Sequence, residues 1–189
     1  MDIKPYLDDL ERRIDPEVEE ELFRQWKQFC TGRSDEDVFS PRRRRKPAPP
    51  GIEWPKLTTN EALKSPEAML LHQFSAASRT IESEHGWLMN IRANYGVVIM
   101  AMPFGCELFV MPDEADSLPN CHPIGHEKAL AWLDRGMPDL EHPYLQQVWE
   151  IGRRIEEIRR QYPKIGKYVY PYHPDLQGPM DILELIWGS

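Results

Sequence analysis

The stretch Lys164-Ile-Gly-Lys-Tyr-Val-Tyr-Pro-Tyr-His-Pro-Asp-Leu-Gln-Gly-Pro-Met-Asp-Ile-Leu-Glu-Leu-Ile-Trp-Gly-Ser189 reads as a strand, a polar turn and an opening helix. That order is one βα unit of an α/β protein, and such units ordinarily run on into another strand. The unit stands at the end of the sequence. The expectation is therefore an α/β chain that stops where a further strand would follow.

Upstream, the helical signals are plain. Leu7, Leu10 and Ile14 recur at helical spacing, and Asp15-Pro16 reads as an N-cap followed by proline at the first helical position. Val18, Leu22, Trp26, Phe29 and Cys30 continue one stripe to about residue 31, with Glu17, Glu19, Glu20, Arg24 and Lys27 opposite. Thr59 and Ser65-Pro66 each open a helix, the second carrying Met69, Leu70, Phe74, Ala77 and Ile81 and closing near His85-Gly86. Trp87 to Ala93 reads as a buried strand, Asn94-Tyr-Gly96 as a turn, Val97 to Met102 as an apolar helix or strand, and Glu107 to Met111 as a short strand. A loop over residues 112–125 precedes a helix from His126 to Arg135. Leu145, Val148, Trp149, Gly152, Ile155, Ile158 and Tyr162 then mark an amphipathic helix closed by Pro163.

Between the two helical regions, residues 32–57 change character. Ser34-Asp-Glu-Asp37 is acidic, Arg42-Arg-Arg-Arg-Lys46 is basic and Pro47-Ala-Pro-Pro-Gly51 is stiff, so the segment reads as a linker or surface strap. The division expected is a helical extension over 1–31, the strap over 32–57, and an α/β portion over 58–189.

The charge balance bounds function. Lys and Arg number 23 against 31 Asp and Glu, a net charge of −8, which argues against a general nucleic-acid binder. The basic run is accordingly read as a solvated segment paired with acidic neighbours rather than a phosphate patch. No apolar run approaches the ~20 residues that span a bilayer, and no apolar signal core follows Met1. Three scattered cysteines, Cys30, Cys106 and Cys121, suit a reducing cytoplasm.

Several residues carry possible chemistry. Cys121, His122 and His126 fall within six residues, but a structural zinc needs four ligands and no second cluster accompanies them, so they are read as loop residues and no metal is assigned. Met89, Met100 and Met102 are read as core. The turn Tyr170-Pro-Tyr-His-Pro-Asp-Leu-Gln-Gly-Pro179 is richer. His173 could move a proton near neutral pH, Asp175 could orient it, and Gln177 could bond a substrate carbonyl or carboxylate. Gly178-Pro179 opens a helix whose N–H groups favour an anion. The alternative is an ordinary turn in which Asp175 and Gln177 bond backbone. Arg92 and Asn94, at the end of the Trp87–Arg92 strand, form the other candidate pair. Arginine there suits a carboxylate or phosphate, or else pairs with a nearby carboxylate.

Three stretches resemble the uroporphyrinogen decarboxylase-like superfamily, in which a haem-pathway decarboxylase and corrinoid-dependent methyltransferases share a fold. They are Thr58-Thr-Asn-Glu-Ala-Leu-Lys-Ser-Pro-Glu-Ala-Met69, Met102-Pro-Phe-Gly-Cys-Glu-Leu-Phe-Val110 with Leu118-Pro119 and His122-Pro-Ile124, and Tyr170 to Gly188 around Asp175-Leu-Gln-Gly-Pro179. The resemblance covers about residues 55–189. It implies the first few units of an incomplete (β/α)8 TIM-type barrel, since a closed one takes ~250 residues, behind a helical N-terminal extension, and hence an N-terminal fragment, a split-gene half or a degenerate remnant. The implied parent activity is corrinoid-linked methyl transfer or decarboxylation of a small-molecule substrate. Methyl transfer is favoured because the decarboxylase's Arg-Gln-Ala-Gly-Arg-Tyr motif is absent. The family's zinc ligands, a His-x-Cys pair and a distant cysteine, have no counterpart here. The chain alone is thus expected to bind no cofactor and to be inactive, the zinc and the corrinoid partner belonging to the parent. A second chain or a homo-oligomer would complete the barrel. The rival expectation is a non-enzymatic assembly module docking through the helices over 5–31 and 145–162.

Overall fold

The computed structural model describes residues 2–33, 38–83 and 85–188. The acidic Ser34–Asp37 stretch lies outside them. In chain order the elements are α1 (Lys4–Arg13), α2 (Pro16–Cys30), α3 (Thr59–Ala62), α4 (Pro66–Glu82), β1 (Met89–Ile91), β2 (Glu107–Phe109), β3 (Asn120–His122), α5 (His126–Arg135), α6 (Pro143–Gln161), α7 (Pro163–Tyr168), β4 (Val169–Pro171) and α8 (Pro179–Trp187). No helix among the described residues is long and apolar enough to cross a membrane.

The chain divides into two compact units that cut across the sequence segments. One comprises Met1–Lys56, Leu70–Ile91 and Arg154–Tyr172; the other comprises Leu57–Met69, Arg92–Arg153 and His173–Ser189.

In the first unit the stripe of α1 and of the first half of α2 is core, whereas Phe29 and Cys30 farther along it are exposed. Leu7, Leu10, Ile14, Val18 and Leu22 are buried, as are Leu71, Phe74, Ala77 and Ile81 of α4. Asp15 caps α2, its side chain accepting from the Glu17 N–H at 3.1 Å, with Pro16 at the first helical position. β1 and β4 pair in parallel, Met89 opposite Val169 and Ile91 opposite Pro171. Residues 163–168, read above as leading into a strand, are the helix α7. The correction has a tertiary cause: the Glu11 carboxylate of α1 accepts from the backbone N–H groups of Lys164 and Ile165, both at 2.9 Å. A side chain about 150 positions away thereby satisfies the orphan donors of this helix start.

The basic run is also corrected in part. Arg44 and Arg45 lie at the surface beside Glu21, Asp15 and Glu17. Arg43, by contrast, is not solvated. Its side chain is 2% exposed, grips Glu19 through Nε and Nη2, and donates to the carbonyls of Thr80, His85 and Trp87. The described part of the strap is thus pinned to α2 and to the chain after α4. Farther on, Gly51 N–H and the Trp54 indole donate to Asp9 of α1.

The second unit is built around an antiparallel β2–β3 pair, with Leu108 opposite Cys121. β3 falls in the stretch expected to be loop. Its three residues sit between Pro119 and Pro123, too few for a periodicity to register. Val97–Met100 and Met102–Phe104 are 3-10 turns, deciding the helix-or-strand ambiguity there. Gly96 enters them at φ +81°, with the Pro119 carbonyl 3.1 Å from where a Cβ would stand, a conformation open to glycine. Val98, Ile99, Ala101, Tyr95, Tyr144 and Ile186 fill this core. The Tyr144 hydroxyl donates to the Tyr95 carbonyl at 2.8 Å.

Candidate functional site

The polar residues after β1 and β4 belong to the second unit. The chain leaves β4 through an extra sheet bond, Tyr172 N–H to the Ile91 carbonyl at 3.1 Å, and then turns. Leu176 N–H donates to the Pro174 carbonyl at 2.6 Å, a tight three-residue bend that sets Asp175 at its apex. The Asp175 carboxylate pairs with the Arg92 guanidinium, and both side chains are about four-fifths buried, at 19% exposure each. Two of the candidate residues, separated by most of the α/β portion, are therefore brought together.

The others are placed differently. His173 is exposed and its Nδ1 lies 2.7 Å from the Pro174 carbonyl, so that nitrogen carries its proton toward backbone. Asp175 is held by Arg92. Asn94 is half-buried, and its Oδ1 is buried without a hydrogen-bond partner among the described residues. An amide oxygen kept from water with nothing to accept is costly unless a ligand or water uses it. Gln177 lines a separate groove of about 440 Å³, with Asn120, Cys121, Asp181, Glu184 and Gly188 among its walls.

The start of α8 is served from within. Asp181, in its first turn, accepts from the Gly178 N–H at 3.2 Å and supplies the negative charge that a helix N-terminus favours. The anion expected there has its counterpart in the chain's own carboxylate.

Cys121, His122 and His126 do not gather. His126 Nδ1 accepts from the Trp187 indole at 2.9 Å, and the His122 ring lies against Phe109. Among the described residues no three His, Cys, Asp or Glu side chains converge on a metal position. Cys121 instead meets Cys106, and each thiol reaches the Leu185 carbonyl at 3.8 Å. Burial pushes the Cys106 thiol up to about 12, helped by the neighbouring Cys121, and burial also raises Cys121.

Asn94 lies two positions after Arg92, whose guanidinium is held by Asp175. The guanidinium fork matches a planar oxyanion, and Asp175 occupies that role in the structure. The groove is of opposite character, with two carboxylates and no basic residue on its walls. The sequence offered one signal for it: Asp181 and Glu184 are three apart on one helix and so share a face. Comparison with protein-family models, curated proteins and solved structures finds no match.

Proposed function

We propose that this chain is a uroporphyrinogen decarboxylase-like protein and that the Arg92–Asp175 pair, with Asn94, marks its substrate-binding corner. One observation carries the reading: Arg92 directly follows β1, Asp175 lies four residues beyond β4, and these two strands are parallel neighbours. In parallel α/β architectures ligands are held by residues just past the carboxyl ends of adjacent strands. The unpartnered Asn94 oxygen adds an acceptor awaiting a donor. His173 belongs to the same turn and would border the ligand.

The parent activity favoured is corrinoid-linked methyl transfer, with decarboxylation of a porphyrinogen-like acid second. The parallel sheet among the described residues has two strands, whereas a (β/α)8 barrel has eight. The rest of the site would come from a second chain or a second copy, which would also cover strand edges that otherwise invite association. The test is NMR titration of the isotope-labelled chain with a porphyrin polycarboxylate and, separately, with inorganic phosphate, the two kinds of oxyanion that an arginine there suits. The expected result is shifts centred on Arg92, Asn94, His173 and Asp175, with at least tenfold weaker binding in Arg92→Leu. Absence of binding by either probe, or shifts confined to other residues, would overturn the proposal.

The docking alternative has less in its favour. The apolar stripe of α1 and of the first half of α2 is buried in the first unit, and on α6 Leu145, Val148, Ile151, Ile155 and Ile158 are buried as well, leaving Trp149 exposed.

A further inference from the structure

Two buried thiols that the proposed binding corner does not use face each other in the second unit. Leu108 stands opposite Cys121 in the β2–β3 pair, and Cys106 precedes Leu108 by two positions. Side chains two apart on a strand share a face, so Cys106 and Cys121 are diagonal neighbours on one side of the hairpin. Both thiols contact the same Leu185 carbonyl near the end of α8, each at 3.8 Å. Cys30, in the first unit, is exposed.

We infer that Cys106 and Cys121 are a modification site: a dithiol that closes reversibly to an intramolecular disulfide, fastening the hairpin beneath α8. The geometry brings the two sulfurs together, on one face of the hairpin and against one carbonyl. It also supplies access. Cys121 lines the 440 Å³ groove, whereas Cys106 is not among its walls, so a small oxidant such as a peroxide meets Cys121 first.

The reaction balances. The Cys121 sulfur attacks one oxygen of hydrogen peroxide, the O–O bond breaks, and one water leaves with Cys121 as a sulfenic acid. The Cys106 sulfur then attacks the Cys121 sulfur, the S–OH bond breaks, and the departing hydroxide takes the Cys106 proton as a second water. Two thiols lose two electrons, and the peroxide gains them. Cys121, the thiol on the groove wall, takes the attacking role.

The experiment uses the full chain carrying Cys30→Ser, so that the two thiols are the only ones present. Treatment with one equivalent of hydrogen peroxide is followed by thiol titration, intact mass and non-reducing peptide mapping, with circular dichroism confirming that the chain stays folded. The expected result is loss of both titratable thiols, a monomer lighter by two hydrogens, a cross-link joining the Cys106 and Cys121 peptides, and full reversal by dithiothreitol. Retention of both thiols would overturn the inference. So would addition of oxygen without a cross-link, dimers linked between chains, or a cross-link that forms only after denaturation.

Discussion

Arg43 sits in a run of four arginines and a lysine, yet its guanidinium is buried against Glu19 and three backbone carbonyls. Removing one member of such a pair strands the other charge in a poor solvent, a loss of about 3–5 kcal/mol. Arg43→Ala is therefore expected to lower the unfolding free energy by that amount in urea titrations, and Arg43→Met with Glu19→Leu to lose less than either single change. A loss under about 1 kcal/mol for Arg43→Ala would show that the strap is held by other contacts. Asp9 is the second such residue. Burial alone would raise its carboxyl, but Gly51 N–H, the Trp54 indole, Arg12 and the charge of Arg13 together hold it below the ordinary value. A carboxyl depressed in the folded state contributes stability above its unfolded value, and that contribution is lost as pH falls through the folded value. The urea midpoint should stay level from pH 7 to about 5 and fall below about pH 4, with Asp9→Asn flattening the acid limb. An unchanged slope in that variant would remove Asp9 from the account.

The strap and the chain after α4 are joined at Gly86. A Cβ built there would lie 2.4 Å from both the carbonyl carbon and the oxygen of Pro41. Backbone is not a yielding neighbour, so overpacking of about 1–3 kcal/mol applies. The Gly86 carbonyl also accepts from the Trp26 indole at 2.6 Å, and Trp26 and Phe29 both pack on Phe39. Gly86→Ala should lower thermal stability and increase trypsin cleavage within Arg42–Lys46, because the displaced strap exposes its basic residues. Wild-type resistance in that variant would mean the strap adjusts around the methyl. At this scale the sequence was read well where signals are local. The Asp15-Pro16 start of α2 and, Trp149 apart, the apolar stripe of α6 stand in the structure, whereas the cap expected at Thr59 is Thr58, in a capping box with Glu61. α7 and β3 were missed because neither has a local signal: one is capped by Glu11 of another helix, and the other exists through its pairing with β2.

For the whole molecule, the proposal that the binding corner is completed by another chain carries its own expectation. The purified chain assayed alone should give no cobalamin-dependent methyl transfer and no decarboxylation above buffer. Turnover by the monomer would show that the second unit already holds a complete site, and would sink the completion proposal while leaving Arg92 as a binding residue. Arg92, Asn94, His173, Asp175 and Gln177 were all nameable from residue type and position. Which of them meet was not, since Arg92 and Asp175 are 83 positions apart and no periodicity links them. The sequence by itself determined the helices other than α7, the Asp15 cap of α2, the acidic balance and the turn after Tyr170, because each depends on neighbours within a few residues. The tertiary structure alone decided that Arg43 is buried, that Arg92 holds Asp175, that Gln177 faces a different groove and that Cys106 meets Cys121. Those outcomes depend on strand register and on contacts between distant segments, where the favourable partner is set by folding and not by spacing along the chain.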